Sequence, residues 1–539
     1  MILENRKESG SYYTPTELVE FMVTYLKKEQ QDFDHVLEPS AGDGRFLPLL
    51  LSCSNHVEAV ELFQEKVQRI EQQYGCEKLS VECENFIRYA SINDDRYSLI
   101  IGNPPYISLK MMNKEAIAKA KQFCEEVGLP SSAMQNMWFA FVLASCKLLR
   151  PNGTVFFVLP MEFLQVQYAE KLRGYLESKF NTIHIISFED CVFTGIEQEV
   201  CLVYLTNKID DLPYILYEVY PNSKETAIVS RNIIQKNKPL QKWSNAILKD
   251  DDIFLLKDFS LNYTKVEKIG TTAPGIVTGG NKYFILTEQQ VEAYRCREQV
   301  LPILQKSSFV SDNIICIDEA VFDKIKERNK PVYLLNLAKV PQEDLPLKLD
   351  EYLEWAGKQK IQGTELKKRF KCANRNPWYG VPIVAKGDII FFKRYDILPR
   401  LYINEMEIHT TDAGYHIRLN EEYDKASVVF CFYNSMTLAQ CEFYGRYYGG
   451  GVRELVPSEF KKIAIPYREI EEKDVEHLKE LFQKKASAFE IVSFVNSKTL
   501  ELQMPKETIS KLEAMRIQLI KQRRRQHVQK VKLLKTDMQ

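Results

Sequence analysis

The chain has 539 residues, of which 72 are basic and 73 acidic, and 45% are hydrophobic. This length predicts two or three domains, and the near-zero net charge neither indicates nor excludes a nucleic-acid partner. With no run of eighteen apolar residues and no signal peptide, the sequence favours a cytoplasmic protein without a membrane segment. Because the 12 cysteines form no CxxC pair, we expect reduced thiols, no metal site and no disulfide framework.

The first predicted element is an amphipathic helix near the amino terminus. Apolar residues recur at helical spacing between Leu18 and Leu26, after the sequence GSYYTP at positions 10–15. A threonine before a proline, Thr14-Pro15, favours a helix start at this point. The segment is either a simple capped helix or includes a turn that closes over a cofactor.

A strand and a glycine-bearing turn come next, where residues 35–46 read HVLEPSAGDGRF. Two glycines that flank one residue let the backbone approach a ligand at a helix N-terminus, although a plain tight turn has the same pattern. A second predicted strand, Val57–Val60, ends at Glu61, 19 residues after Gly42. This is about the spacing at which an acid reaches ribose hydroxyls in nucleotide-type sites.

Two further strands also end in polar residues. The strand around Leu79–Cys83 is followed by Asn85-Phe86, an amide and an aromatic ring suited to an adenine ring. The strand before Gly102 is followed by Asn103-Pro104-Pro105-Tyr106, whose prolines forbid both a helix and a longer ladder. Because ligands bind at the carboxyl edge of open α/β sheets, we expect Asn103 and Tyr106 to face a substrate.

The tetrapeptide suits methyl transfer to an exocyclic or amide nitrogen. If the Asn103 side-chain oxygen and the Pro104 carbonyl each accept one hydrogen of the amine, its lone pair becomes available as a nucleophile. Pro105 stiffens the loop, and Tyr106 offers a flat face for a planar substrate. The alternative is a proline-stiffened turn that only ends a strand.

The rest of the chain continues the α/β pattern and then changes. Met137–Leu149 is predicted as a helix, and Thr154–Leu159, Ile183–Ile186 and Val200–Leu205 as strands. After Lys238-Pro239 the composition is more polar, and basic residues alternate with aromatic ones in 367–371, 375–379 and 393–395, which suits contacts to phosphates or a solvated strand face. Residues 521–525 read KQRRR and predict an exposed helix end, with DNA contact or partner docking as the alternative.

The order of these motifs resembles the gamma-class N6-adenine DNA methyltransferases of bacterial restriction-modification systems, the TaqI-like group. The resemblance rests on GSYYTP, LEPSAGDGRF, Glu61, Asn85-Phe86, NPPY at 103–106 and VFTG at 192–195. It implies S-adenosyl-L-methionine as the methyl donor. The family commonly has Asp where this chain has Asn85, and we expect the amide oxygen to bond the adenine amino group instead.

The resemblance also implies roles for individual residues. Tyr106 would stack on a target adenine flipped out of the duplex, and Phe193 would contact it from the opposite side. Asn103, Pro104 and Pro105 would form the catalytic loop. Glu61 would hold the ribose hydroxyls of the cofactor. Its remaining contacts would come from Tyr13, Thr14, Pro15, Glu38, Ser40, Ala41, Gly42, Asn85 and Phe86.

We therefore predict a Rossmann-like methyltransferase domain over 1–245, a mixed α+β DNA target recognition domain over 246–470 and a helical C-terminal segment over 471–539. The predicted activity is site-specific methylation of adenine N6 in double-stranded DNA by a monomer, without cleavage by this chain. Whether a separate cognate restriction endonuclease is a further partner stays open. The alternatives are a methyltransferase for a protein glutamine or an RNA base, and a DNA-binding specificity subunit with weak catalysis.

Overall fold

The computed structural model describes residues 13–29, 33–109, 114–193, 199–207, 212–236, 240–310, 313–447 and 451–524. The chain forms two compact units. Unit 1 contains residues 1–253, 448–451 and 521–531, and unit 2 contains residues 254–447, 452–520 and 532–539. The predicted division into three segments, at 245 and 470, stays a prediction.

Helices and strands alternate through most of unit 1. The helices are α1 (Thr16–Glu29), α2 (Leu47–Leu51), α3 (Gln64–Tyr74), α4 (Phe86–Ile92), α5 (Lys114–Glu126), α6 (Met137–Leu148), α7 (Glu170–Lys179) and α8 (Asp250–Ser260), the last of which continues into unit 2. The strands are β1 (Phe33–Glu38), β2 (Ser54–Glu61), β3 (Leu79–Cys83), β4 (Tyr97–Gly102), β5 (Leu149–Pro160), β6 (Thr182–Phe188), β7 (Val200–Thr206), β8 (Tyr214–Tyr220) and β9 (Ser230–Gln235).

Within the described residues, the nine strands of unit 1 form one sheet in the order β3-β2-β1-β4-β5-β7-β6-β8-β9. Strands β3, β2, β1, β4 and β5 are parallel, and β7 runs antiparallel to β5 and β6. The strand order reverses between β1 and β4, which is where open α/β sheets bind ligands. The predicted Rossmann-like fold is confirmed.

The sequence pattern explains why these strands are central. In β4, Tyr97, Leu99, Ile100 and Ile101 are fully buried, as a strand covered on both faces requires. Helix α1 adds its apolar stripe, including Leu18 and Met22, to the same core. The core therefore holds β1 and β4 side by side and places their carboxyl ends at one edge of the sheet.

Unit 2 contains shorter elements, and its mixed α+β composition was predicted. Its helices are α9 (Val266–Ile269), α10 (Asn281–Phe284), α11 (Glu288–Tyr294), α12 (Glu319–Glu327), α13 (Leu347–Lys358), α14 (Phe370–Ala373), α15 (Lys425–Phe432), α16 (Ser435–Tyr444), α17 (Pro457–Phe460), α18 (Glu472–Gln483), α19 (Ala488–Lys498) and α20 (Lys506–Arg524), whose last residues belong to unit 1. Its strands are β10 (Thr264–Lys265), β11 (Gly270–Pro274), β12 (Ile285–Leu286), β13 (Val300–Leu304), β14 (Cys316–Ile317), β15 (Tyr333–Leu335), β16 (Lys360–Ile361), β17 (Thr364–Glu365), β18 (Ile389–Phe392), β19 (Arg394–Tyr395), β20 (Arg400–Asn404), β21 (His409–Thr410), β22 (Gly414–Leu419), β23 (Arg446–Tyr447), β24 (Arg453–Glu454) and β25 (Ala464–Ile465).

Among the described residues, two hydrophobic cores support unit 2. One core joins the sheet β12-β15-β13-β21 to helix α13, through residues such as Leu334 and Leu353. The other joins the sheet β11-β22-β18-β20-β14 to helices α15, α17, α18 and α19, and the rings of Phe391 and Phe460 stack in it at 4.2 Å between centroids. In the part of the chain that the structure describes, no helix is both long and apolar enough to cross a membrane.

The predicted exposure of the basic helix end is wrong for Gln522, Arg523 and Arg524, which are 5%, 1% and 4% exposed. The Gln522 amide donates to Tyr217 Oη at 3.0 Å and to the Ser244 carbonyl at 2.8 Å. The Arg523 guanidinium donates to the Gly451 carbonyl. These bonds replace contacts with water, which a charge pattern alone does not reveal. Arg525 lies outside the described residues.

Candidate active site

A cavity of about 570 Å³ lies at the carboxyl ends of β1, β2, β3 and β4. Most of the predicted site residues are on its wall. They are Tyr13, Thr14, Glu38, Ser40, Ala41, Gly42, Glu61, Asn85, Phe86, Asn103, Pro104, Pro105 and Tyr106. The fold thus brings together residues from four strand ends and from the turn before α1, up to 93 positions apart, between Tyr13 and Tyr106.

The turn after β1 is held against the end of β2. Gly42 has a positive φ of 62°, a left-handed conformation that favours glycine. Its N–H donates to Glu61 Oε2 at 2.8 Å, and the Ala41 N–H donates to the Val60 carbonyl at 3.0 Å. The Phe63 N–H donates to the other carboxylate oxygen of Glu61 at 3.1 Å. The glycine turn and the acid at the end of β2 are therefore in direct contact.

Two buried acids, at the ends of β1 and β2, make this part of the cavity suited to a cation. Burial raises the pKa of Glu38 well above its usual range, and the negative charges of Asp43 and Glu61 add to the effect. Burial also raises the pKa of Glu61, while Lys66 and the backbone N–H donors oppose it. Glu38 Oε2 is buried and has no hydrogen-bond partner among the described residues. A cationic group beside these carboxyls would restore their charged state.

The loop after β4 contacts both the glycine turn and the turn before α1. Ser40 Oγ donates to the Asn103 carbonyl at 3.1 Å. The Asn103 side-chain Nδ2 donates to Thr14 Oγ1 at 3.2 Å. Tyr106 Oη donates to the Val158 carbonyl of β5 at 3.0 Å, and burial raises the pKa of this phenol. The Asn103 amide and the Tyr106 ring are thus held on the cavity wall by separate contacts.

Cationic side chains surround Tyr13. The Arg45 guanidinium lies 5.2 Å from the Tyr13 ring centroid, and Lys66 Nζ lies 5.5 Å from it. Arg45 also donates to the Thr14 carbonyl and to Asp43. These contacts hold the Tyr13-Thr14 segment beside Gly42, where a side-chain Cβ added at Gly42 would lie 3.6 Å from the Tyr13 ring.

At the end of β3, the structure shows a role that the motif does not reveal. Asn85 is the N-cap of α4, and its Oδ1 accepts from the N–H groups of Ile87 at 3.0 Å and Arg88 at 3.4 Å. Phe86 is buried and lines the cavity. The amide oxygen that was expected to bond an adenine amino group is therefore used to cap a helix.

Two predicted site residues lie away from the described cavity wall. Pro15 accepts hydrogen bonds from Leu18 and Val19 at the start of α1. Phe193 is 5% exposed and belongs to the core of unit 1, against which Tyr106 also packs. The remaining parts of the two motifs, positions 10–12 and 194–195, lie outside the described residues.

The cavity also contains residues that the sequence motifs did not single out. Leu62 and Phe63 line it directly after Glu61, although they are 55% and 38% exposed, and Phe141 of α6 lines it with them. Exposed apolar residues directly after a strand-end acid are a signal that the sequence contained. Among the described residues, no group of three or more His, Cys, Asp or Glu side chains is arranged to hold a metal ion.

Comparison with known proteins identifies the family. Residues 38–193 match the model of the Eco57I restriction-modification methylase, and residues 240–500 match that of the Type II methyltransferase M.Eco57I, C-terminal domain. The chain belongs to the restriction-modification DNA methyltransferases. The Type II methyltransferase M.AccI of Acinetobacter calcoaceticus is 25% identical over 491 residues, which cover 85% of this chain and 86% of that protein.

Other members of the family match over shorter stretches. The Type II methyltransferase M.HincII of Haemophilus influenzae is 28% identical over 223 residues, which cover 39% of this chain and 40% of that protein. Among solved structures, the Type IIL restriction-modification enzyme MmeI in complex with DNA has a TM-score of 0.58 at 12% identity. That match covers 94% of this chain and 75% of MmeI, and it supports the fold.

The cofactor of this DNA methyltransferase is S-adenosyl-L-methionine, and the cavity fits it. The cofactor carries a sulfonium and an ammonium group, which complement the buried carboxyl of Glu38, and ribose hydroxyls, which can donate to the carboxyl of Glu61. Its flat purine matches the apolar wall formed by Phe63, Phe86 and Phe141. The fit therefore rests on charge at one end of the cavity and on apolar surface at the other.

Proposed function

We propose that this protein methylates N6 of adenine at a specific sequence in double-stranded DNA, as the modification enzyme of a restriction-modification system. The observation that carries the proposal is the position of Asn103-Pro104-Pro105-Tyr106. This loop follows β4 at the point where the strand order reverses, and it shares one cavity with Glu38, Gly42 and Glu61. A methyl donor and a planar amine can therefore meet beside the Asn103 amide.

Residues at the ends of successive strands would contact successive parts of the cofactor. Asn85 and Phe86 at β3 would contact its adenine, and Glu61 at β2 would accept hydrogen bonds from the ribose hydroxyls. Glu38 and the turn Ser40-Ala41-Gly42 at β1 would lie beneath the methionine part. Tyr13, Thr14 and Pro15 would lie on its other side. When bound, the cofactor supplies an electrophilic methyl group.

Asn103 and Pro104 would activate the target nitrogen. The N6 lone pair of adenine is delocalised into the ring, which makes the amine a poor nucleophile. The Asn103 Oδ1 atom and the Pro104 carbonyl would each accept one amine hydrogen and draw the nitrogen toward tetrahedral geometry. This activation needs no covalent enzyme intermediate and no general base with a shifted pKa.

Tyr106 would bind the flipped base by stacking. An adenine inside a duplex is out of reach, so the enzyme must extrude it, and stacking on an aromatic face offsets part of the cost at about 1–3 kcal/mol per base. The bond from Tyr106 Oη to the Val158 carbonyl anchors the hydroxyl end of the ring at β5. Phe193 would contact the base from the opposite side, which requires its ring to leave the core of unit 1.

Unit 2 would recognise the DNA sequence. Arg375 donates to the carbonyls of Val277 at 2.8 Å and Thr278 at 2.7 Å, and Arg369 donates to the carbonyl of Gly279 at 2.7 Å. The two arginines hold a turn whose neighbours Lys282 and Lys371 are exposed. This surface suits phosphate contacts better than Lys393 and Arg394, which face Glu454 at 3.8 Å and 3.5 Å.

We further propose the gamma class, in which the cofactor motif precedes the NPPY loop, and a cytoplasmic monomer whose cognate restriction endonuclease is a separate chain. Most of the relatives are named as Type II methyltransferases, and two are named as a restriction enzyme and methyltransferase. These names favour DNA over a protein glutamine or an RNA base. The intact loop at 103–106 favours an enzyme over a specificity subunit.

The proposal is tested by methyl transfer from tritiated S-adenosyl-L-methionine to duplex DNA of mixed sequence. Nucleoside analysis and methylation-sensitive sequencing then identify the base and its context. We expect N6-methyladenine at one repeated sequence. Labelled cytosine would overturn the adenine assignment, and transfer to RNA or protein alone would overturn the DNA assignment. The Asn103→Ala variant is the control for contaminating activity.

A further inference from the structure

The orientation of the Asn85 amide is set by helix α4. Its Oδ1 accepts from the backbone N–H groups of Ile87 and Arg88, at 3.0 Å and 3.4 Å. A backbone N–H can only donate, so the oxygen must point to the helix and the NH₂ group must point elsewhere. Asn85 lines the cavity, and its Nδ2 has no hydrogen-bond partner among the described residues. Of the Asn85 amide, the NH₂ group is therefore the part that is left for a ligand in the cavity that this residue lines.

Asn85 lies at one end of a row of strand-end residues. In the order of the strands from β3 to β4, this row is Asn85, Glu61, Glu38 and Asn103. Because methyl transfer occurs at Asn103 in the proposed function, on which this inference rests, the purine of the cofactor lies at the opposite end. Phe86 and Phe63 provide apolar surface there.

We infer that Asn85 recognises the cofactor adenine as a donor, through a hydrogen bond from Nδ2 to the ring nitrogen N1. A carboxylate at this position would cap α4 with one oxygen and accept from the 6-amino group with the other. The amide keeps the cap but presents NH₂ where the second oxygen would be. Two donors cannot bond each other, so the 6-amino group is not its partner. The partner of Nδ2 is instead N1, which is an acceptor on the same edge of the ring.

Calorimetric binding of S-adenosylhomocysteine and two of its analogues tests this inference without turnover. The 1-deaza analogue lacks the N1 acceptor and keeps the amino group, whereas the 6-deamino analogue keeps N1 and lacks the amino group. For the wild-type protein we expect about tenfold weaker binding of the 1-deaza analogue, and little change with the 6-deamino analogue. The matched variant Asn85→Asp keeps the helix cap and should reverse this pattern.

Each other outcome has a distinct meaning. If the wild-type protein loses affinity for the 6-deamino analogue only, Asn85 accepts from the amino group and the inference is overturned. Equal binding of all three ligands would show that Asn85 does not read this edge, and would leave the proposed cofactor site intact. Failure of S-adenosylhomocysteine itself to bind a folded protein would overturn the proposed cofactor site as well.

Discussion

The Asn103 side-chain Nδ2 donates a hydrogen bond to Thr14 Oγ1 at 3.2 Å, across 89 positions of the sequence. This contact joins the loop after β4 to the turn before α1. Since Nδ2 is directed at Thr14, the other atom of the amide, Oδ1, faces away from Thr14. Thr14 is thereby a positioning residue for the Asn103 amide as well as a part of the proposed cofactor site.

Replacing Thr14 should lower turnover more than cofactor affinity. Thr14→Val keeps the shape of the side chain but removes the hydroxyl. The Asn103 amide then loses the hydrogen bond that orients it, and kcat should fall about tenfold. Thr14→Ser retains the hydroxyl and should restore most of the rate. Steady-state kinetics and calorimetry with S-adenosylhomocysteine measure both effects. Equal losses in the Val and Ser variants would contradict a role for the hydroxyl.

Replacing Asn103 should abolish turnover while the cofactor still binds. Asn103→Ala removes one of the two acceptors for the target amine, and loss of one such preorganised polar contact costs about 10²–10³-fold in rate. Single-turnover methylation measures the loss, and S-adenosylhomocysteine affinity checks that the site is intact. Asn55→Ala, at an exposed position before the centre of β2, is the matched control. Near-normal methylation by Asn103→Ala would exclude the proposed mechanism.

Cofactor affinity should depend on pH through Glu38. Burial raises the pKa of this carboxyl in the free protein, whereas a bound cation favours the carboxylate. Binding below the raised pKa therefore releases a proton, and affinity should rise by up to about tenfold per pH unit until that pKa is passed. Calorimetry in two buffers of different ionisation enthalpy measures the released proton. Glu38→Gln should remove this part of the slope, and an unchanged slope would assign it to Glu61 or another group.

DNA affinity should depend on the exposed lysines beside the turn at 277–279. Lys282→Ala and Lys371→Ala should each weaken binding of all duplexes alike and reduce the slope of log K against log salt by about 0.9. Fluorescence anisotropy at several salt concentrations gives this slope. Lys473→Ala, at an exposed position of helix α18, is the control of equal charge and should not change it. A change for one sequence only would indicate base readout in place of phosphate contact.

Stability of unit 2 should depend on the ion pair between Arg453 and Glu442. The two side chains are 3% and 2% exposed, and Arg453 donates two hydrogen bonds to Glu442 Oε2 at 2.8 Å and 2.6 Å. Removing one partner leaves a buried charge, so Arg453→Ala should lower the free energy of unfolding by about 3–5 kcal/mol. Urea denaturation measures the change. The exposed pair Lys425–Glu405 is the control, and Lys425→Ala should cost less than about 1 kcal/mol.

Local patterns in the sequence were sufficient to predict the fold of unit 1 and most of the residues on the cavity wall. A run such as Leu99–Ile101 is apolar because both faces of a parallel strand are covered, and two prolines after it end the strand at Asn103. Residues that follow successive parallel strands meet at one edge by topology, so Glu38, Glu61 and Asn103 were predicted together. Periodicity and turn chemistry depend on residues that are close together in the chain, so the sequence alone reveals them.

The tertiary structure decided which long-range partner each polar group meets. The motif predicts Asn85 as an acceptor for adenine, but its oxygen caps α4, which leaves the NH₂ group of this cavity-lining residue for a ligand. The role of Phe193 against a flipped base stays a prediction, and the structure adds that its ring is packed in the core. The charge pattern predicts Gln522 and Arg523 in water, but Tyr217, Ser244 and Gly451 provide partners for them from distant segments. The sequence determined which strand ends form the site, and only packing decided which atoms of those residues face it.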